Sequence, residues 1–225
     1  MVAVQKNAEE YSEGVKYQMG KRGVPDCKKC RREGERLLLK GERCNGPKCA
    51  MIKRPFPPGM HGKTMKKPTD YGIRLREKQR VCRFYGVSDR QLRLYFNKAA
   101  EAYGVTGLVF LQSLETRLDN IIYRLGLAPS RKDARQKVKH GHFLVNGKKV
   151  TIPSFNVKLN DKIKIKNSAN KFFAVVLEKN KEKTFPAWIN FNPTVQEGVL
   201  TSLPAREDID VPVSEQLIVE YYSKS

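Results

Sequence analysis

The sequence predicts an α+β fold: a mostly helical chain with an N-terminal four-cysteine metal knuckle and a small basic module of two helices and a short β-sheet. Three observations predict it. Apolar residues recur at three- and four-residue steps over most of residues 71–125, the period of a helix with one buried face. Four of the five cysteines stand as two close pairs, Cys27-x2-Cys30 and Cys44-x4-Cys49. Short apolar runs flank Asn146-Gly147, and Lys162-Ile163-Lys164-Ile165-Lys166 alternates strictly, which reads as a hairpin and a half-buried strand.

Composition sets the class of partner. The chain has 225 residues, 30% of them charged, and a net charge of +21. That excess exceeds what solubility requires and points to a polyanion. No window holds eighteen consecutive apolar residues, so the sequence predicts no membrane span.

Taken in order, residues 1–26 carry four basic and four acidic residues and no apolar run. They match neither a secretory signal nor an acid-poor transit peptide, and they read as a mobile extension. Residues 27–67 then hold 13 Lys/Arg against 3 Asp/Glu. Two cysteine pairs joined by a short loop can bring four thiolates onto one tetrahedral ion, and the flanking cations favour the thiolate form. Zinc is the expected metal, and four cysteines that hold no metal are the next alternative. An iron–sulfur cluster suits four thiolates equally, and disulfides suit an oxidising compartment. Pro55, Pro57 and Pro58 forbid a helix and predict an extended strap that bends at Gly59 and Gly62, with Phe56 and His61 available for stacking.

Residues 71–103 predict two helices. Leu75, Val81, Phe84 and Tyr85 face inward on the first, and Arg74 and Lys78 outward with Arg76, Arg80 and Arg83. Gly86 closes it. Ser88 with Gln91 caps the second, whose buried stripe is Leu92, Tyr95, Phe96, Ala99 and Tyr103. Cys82 is a small core residue. Leu114, Leu118, Ile121, Ile122 and Leu125 predict one helix ended by Gly126. Ser130 and Asp133 cap the next, on which Arg131, Arg135 and Lys139 stack four apart. Gly141 stops it, and Lys148 and Lys149 project beside the hairpin turn. Residues 114–166 hold 13 Lys/Arg against 4 Asp/Glu. A charge run is usually a solvated face, but a cap, a glycine stop and a hairpin in register describe a built surface for phosphates. Trp188 reads as a packing anchor. Residues 190–225 reverse the sign, with 2 basic and 6 acidic residues, and predict a terminal helix through Leu217, Ile218, Tyr221 and Tyr222.

The segment SRKDARQKVKHGHFLVNGKKV resembles the S-four RNA-binding module. The cysteine cluster with RPFPPGMHG, the segment YGIRLREKQRVCRFYGVSDRQLRLYF and the closing PVSEQLIVEYYS are similar to the bacterial small-subunit ribosomal protein S-four family, collinearly from residue 27 to 223. The resemblance implies that the module is inserted into a helical domain whose last helix returns to the first. The expected division is 1–26 extension, 27–70 knuckle and strap, 71–113 plus 190–225 helical domain, 114–178 module and 179–189 connector. It also implies that Cys27, Cys30, Cys44 and Cys49 are the metal ligands. The implied partners are the 5′ domain of 16S rRNA, ribosomal protein S-five, other small-subunit proteins and mRNA near the path by which it enters. The implied role is nucleation of subunit assembly and influence on decoding accuracy, on a cytoplasmic ribosome or an organellar one of bacterial descent. Neither a membrane nor a small-molecule substrate is expected.

The expected RNA contacts in the module are Arg131, Lys132, Arg135, Lys139, Lys148 and Lys149, with Arg117, Ser130, His140 and Asn146 beside them. A second set comprises Lys28, Lys29, Arg31, Arg32, Arg54, His61 and Lys63, and the helical domain adds Arg74, Arg76, Arg80 and Arg83. On this reading Arg131→Glu with Arg135→Glu weakens RNA binding and leaves the fold intact. Two rival functions share features. Arg117-Leu118-Asp119 matches the Arg-Leu-Asp of pseudouridine synthases, but no separate catalytic domain follows it. A zinc-dependent DNA-binding regulator shares the charge and the cysteines, but the basic helix is short and the hairpin after it suits structured RNA better.

Overall fold

The computed structural model describes residues 24–64, 67–166, 173, 185–192 and 195–223. The expected mobile extension falls, for residues 1–23, outside the described residues. Two hydrophobic cores organise what is described.

The first core belongs to helices. α1 (Asp26–Glu33), the short α2 (Glu42–Asn45) and α3 (Ala50–Lys53) carry the cysteines. α4 (Asp70–Tyr85) begins where the Thr69 hydroxyl accepts the Gly72 N–H and ends at Gly86 in the left-handed region. Ser88 caps α5 (Asp89–Glu101) through the Gln91 N–H, as its sequence predicts. α6 (Thr106–Glu115) and the terminal α9 (Glu215–Ser223) complete the group. Val81, Phe84, Leu92, Phe96, Phe110, Leu111, Leu114 and Ile218 bury together, joined by Ile209, Val211 and Val213 and by Cys30 and Leu37 of the N-terminal segment. Burying each such aliphatic side chain stabilises by roughly 1.5–3 kcal/mol. α9 approaches α6 so closely that a Cβ on Gly107 would lie 2.9 Å from Glu215 Cγ. The chain thus returns to its first helices at its end, as the resemblance implies.

The second core belongs to the module. α7 (Leu118–Arg124) and α8 (Arg131–Lys139) cover a sheet of β1 (Phe143–Val145), β2 (Lys148–Lys149), β3 (Lys162–Ile165), β4 (Ile189–Asn192) and β5 (Glu197–Leu200). The strand order is β2-β1-β3-β5-β4, every pairing antiparallel. Ile163 and Ile165 point inward with Phe143, Val145, Trp188, Phe191 and Leu200. Trp188 is the packing anchor expected of it, 1% exposed.

Several expectations are corrected. The apolar stripe from Leu114 to Leu125 is not one helix. The chain breaks at Thr116–Arg117, where Arg117 takes an extended ψ of 139°. Leu118 N–H donates to Phe155 O, and Val157 N–H donates to Thr116 O. These strand-like bonds compete successfully with a continued helix, so Leu114 joins one core and Leu118 the other. Residues 190–200, expected with the helical domain, instead supply two strands to the module's sheet, because their alternating burial suits its open edge. Tyr103 is fully exposed, because α5 ends at Glu101 before it. Lys78 is buried rather than outward, held by Asp89 at 2.5 Å and by the Tyr221 ring. The expected end of the module and most of the connector, residues 174–184, lie outside the described residues. Among the described residues no helix is long and apolar enough to cross a membrane.

Candidate nucleic-acid interface

The N-terminal segment turns most of its cations to solvent. Lys28 and Arg32 are exposed on α1, and Arg54, His61 and Lys63 are exposed along the strap. Lys29 is half-buried and pairs with Asp26 at 3.2 Å. Arg31 holds the strap down, its Nε donating to Phe56 O at 2.9 Å and its Nη2 to Pro57 O at 3.4 Å. The Phe56 ring, expected to stack on a base, is already flanked by Arg31 and Lys63, 5.1 and 5.7 Å from its centroid.

All four cysteines of the N-terminal segment line one small cavity, and none forms a disulfide. Cys44 Sγ accepts the Lys40 N–H at 3.3 Å. Burial pushes the Cys30 thiol up, the Leu37 backbone N–H works against it, and the nearby Cys44, Cys27 and Cys49 push it further. The expected knuckle is corrected to this extent: among the described residues no three His, Cys, Asp or Glu side chains are gathered in metal-holding geometry. The spacing brings the sulfurs to one place without closing them onto a point.

The arginines of α4 are met by carboxylates of the chain itself. Arg74 pairs with Glu220 at 2.8 Å, and Arg80 reaches Glu77 at 2.7 Å and Pro212 O at 2.9 Å. Arg83 and Arg76 both meet Glu33, whose side chain is fully buried. Burial raises the Glu33 carboxyl above the usual range although Arg83, Arg76, Arg80 and Arg32 pull it down. These four arginines fasten α1, α9 and the residues before α9 to α4. A period-based reading sees an outward cation and cannot see the carboxylate that comes to meet it.

The same correction applies where the two cores meet. Glu115, fully buried, accepts from Tyr85 Oη at 2.6 Å, from Asn120 Nδ2 at 2.6 Å and from Arg124 through Nε and Nη2 at 3.0 and 2.9 Å. Arg124 continues to Asp210 at 2.6 Å. Arg117, expected at the RNA, is 2% exposed. It donates to both Asp119 oxygens, at 3.1 and 2.8 Å, and to Tyr95 Oη at 2.8 Å. Arg135 grips Asp119 Oδ2 through Nε at 3.0 Å and donates to Gly86 O at 2.6 Å. Arg131 donates to Asn120 Oδ1 at 2.8 Å, and its guanidinium lies 3.8 Å from the Phe84 centroid and 4.4 Å from that of Tyr123. Burial lowers the Arg131 pKa, against the pull of Glu115. Asp119 is therefore buried between two arginines, a fixed counter-charge with no path to a substrate.

Ser130 is a helix cap, accepting the Asp133 N–H at 3.3 Å. Asn146 spends its amide on the hairpin, donating to Asp161 Oδ1 at 2.7 Å and accepting the Lys162 N–H at 2.9 Å. Its φ of 49° is the left-handed value that the Asn-Gly turn predicts. Both side chains are engaged within the module itself.

Lys132, Lys139, His140, Lys148 and Lys149 of the module remain exposed; Lys132 lies 3.6 Å from Asp26 and keeps 79% of its side chain in solvent. Arg36, Arg43, Lys48 and Lys53 are exposed on the N-terminal segment and were not singled out by sequence reasoning. Their adjacency to the cysteines was the available signal, since the fold of that segment fixes them. Among the described residues, Lys28, Arg32, Arg43, Lys48, Lys53, Arg54, Lys139, Lys148 and Lys149 have no carboxylate within 4 Å.

Unopposed cations on capped helices and a basic hairpin define a nucleic-acid-binding protein of the RNA-module class. Comparison with known families makes this particular. Residues 21–115 match the model of the ribosomal protein S4/S9 N-terminal domain, and residues 116–163 match that of the S4 domain. The chain is 54% identical over 202 residues to small ribosomal subunit protein uS4 of Halothermothrix orenii, covering 89% of this chain and 97% of that one. It is 48% identical over 209 residues to uS4 of Thermus thermophilus, covering 92% and 100%. It is 50% identical over 202 residues to uS4 of Acetivibrio thermocellus, covering 88% and 96%. The chain belongs to the small ribosomal subunit protein uS4 family. The boundary between the two matched models falls at Glu115–Thr116, where the long apolar stripe breaks.

Proposed function

We propose that this chain is a structural constituent of the small ribosomal subunit that binds 16S rRNA through cationic surfaces on an ordered scaffold. It acts by binding, without catalysis, on the ribosome in the cytoplasm. The observation that carries the reading is the sorting of its cations. Arginines at the domain junction are consumed internally, whereas a separate set on the N-terminal segment and the hairpin stays in solvent without counter-charge. Such surfaces grip phosphates by releasing condensed counterions, and RNA shape supplies the selectivity. Family membership supports an early place on the 5′ domain of the rRNA, contact with ribosomal protein S-five, proximity to incoming mRNA and an influence on decoding accuracy. Chemical footprinting on small-subunit rRNA tests this. Protection confined to a multihelix junction of the 5′ domain is expected, and uniform or absent protection refutes it.

A metal at the N-terminal segment is part of the same proposal. What supports it is that four sulfurs share one cavity and that the Lys40 N–H donates to Cys44 Sγ, as it would to a ligating thiolate. Cys27, Cys30, Cys44 and Cys49 would hold Zn2+, which would contribute folding free energy to this segment. Elemental analysis of the purified protein checks it. One zinc per chain is expected, an iron signal with visible absorption would indicate a cluster, and no metal would refute it.

A further inference from the structure

We infer that the cavity enclosed by the N-terminal segment, the end of α4 and α8 is a site for a small phosphomonoester of nucleotide size, a ligand separate from the RNA. The inference goes beyond the RNA-binding reading and does not depend on it. The cavity measures about 300 Å3, the lower end of the range for small-molecule sites. Lys29, Arg83, Arg131, Lys132 and Arg135 line it against one carboxylate, that of Asp26. Glu33 meets Arg83 and Asp119 meets Arg135 from behind, so two positive charges are left over. A phosphomonoester near neutral pH carries about −1.5 to −2, which matches that excess.

Two further observations point to a ligand. Among the described residues Arg131 finds an acceptor only through Nε, at Asn120 Oδ1, and its Nη2 is buried without a partner. Glu115, whose charge pulls on Arg131, is already bound by Arg124. A buried donor without an acceptor is unfavourable, and an anion that draws the guanidinium toward the cavity would supply one. Lys29 and Lys132 divide the single Asp26 between them, at 3.2 and 3.6 Å, so both ammonium groups can turn to an anion. The second observation is Leu38, which with Leu39 gives the cavity an apolar wall. Leu38 stands at φ 50° with 37% of its surface exposed. A leucine held in the left-handed region costs free energy and marks a ligand-clamping position more often than a plain loop. The cations suit the phosphate, and the leucines suit the sugar or base that it carries. Such a ligand touches all three walls and braces the junction they form.

Calorimetric titration of the full chain, free of RNA and at one ionic strength, tests this with adenosine 5′-monophosphate, adenosine and inorganic phosphate as probes. The monophosphate should bind at one site per chain, phosphate about tenfold more weakly, and adenosine not measurably. Lys29→Gln with Lys132→Gln, neither of them in a core, should weaken the monophosphate about tenfold or more. Leu38→Gly, which relieves the positive φ, should weaken the monophosphate and leave phosphate unchanged. A wild-type chain that does not bind the monophosphate up to about 10 mM, or that binds adenosine equally well, overturns the site. So does a lysine variant that keeps its monophosphate affinity and loses rRNA affinity instead, since the cavity would then belong to the RNA grip.

Discussion

Replacing Glu115 by Gln tests the junction between the two cores. Glu115 Oε1 receives Tyr85 Oη and Arg124 Nη2, and Oε2 receives Asn120 Nδ2 and Arg124 Nε. A glutamine presents one oxygen and one NH2, so two of these four donors face another donor. Two charge-assisted bonds are lost, at about 1.5–3 kcal/mol each, and Arg124 keeps only the exposed Asp210 as its anion, where breaking a buried ion pair costs about 3–5 kcal/mol. The two figures describe the same event and are not added. The expected loss is about 3–5 kcal/mol, equivalent to a fall in Tm of about 6–20 °C for a chain of this size. Guanidinium unfolding followed by fluorescence of Trp188, the sole tryptophan, and by far-UV circular dichroism measures it. The acid limb adds a sign. Burial pushes the Glu115 carboxyl up, but the hydrogen bonds and charge of Arg124, with the charge of Arg131 and the Tyr85 hydroxyl, bring it below the usual carboxylate range. Its contribution is present above the unfolded carboxylate pKa and is lost as pH falls through the folded value. The wild type should thus lose stability below about pH 4 more steeply than the variant. A loss under about 1 kcal/mol with unaltered acid behaviour would refute the network as the support of the junction.

Arg131→Glu with Arg135→Glu should unfold or strongly destabilise the module, opposite to the outcome expected of surface residues. The glutamate at 135 would face the Asp119 carboxylate and the one at 131 would lie near that of Glu115, and native-like unfolding curves would contradict this. Lys148→Gln with Lys149→Gln, both exposed on β2, should leave stability within about 0.5 kcal/mol and reduce rRNA affinity at low salt. Equal affinity would remove the hairpin from the interface. The Cys82 thiol, which burial first and Asp89 second push up to about 12, should resist alkylation at pH 8 in the folded protein, and rapid labelling would show that α4 opens. Gly41→Ala should destabilise by about 1–3 kcal/mol, because φ is 59° there and a Cβ would overlap the Pro129 carbonyl oxygen. Wild-type stability would mean that the N-terminal segment does not seat against the module.

Local chemistry made much of this fold legible. The Ser88 and Ser130 caps, the Gly86 and Gly141 stops and the Asn146-Gly147 turn all depend on residues a few positions apart. What escaped depends on partners far along the chain. Nothing near Arg131 in sequence announces Phe84 and Asn120, and nothing near Arg83 announces Glu33, fifty positions before it. Arginine serves equally on a phosphate and on a buried carboxylate, so charge alone assigned both kinds to RNA. Lys148, Lys149 and the cations beside Cys44 and Cys49 have no such partner and keep the reading that composition gave them. The cysteine spacing places four sulfurs on one cavity, because short loops limit where they can go, but among the described residues it does not gather three of them in metal-holding geometry.

The salt dependence of binding to small-subunit rRNA tests the central claim most directly. With six to ten exposed cations meeting phosphates, affinity should fall by about 10³–10⁵ between 50 and 200 mM salt. An affinity that hardly changes over that range, or no binding in dilute buffer, would contradict a polyanion grip.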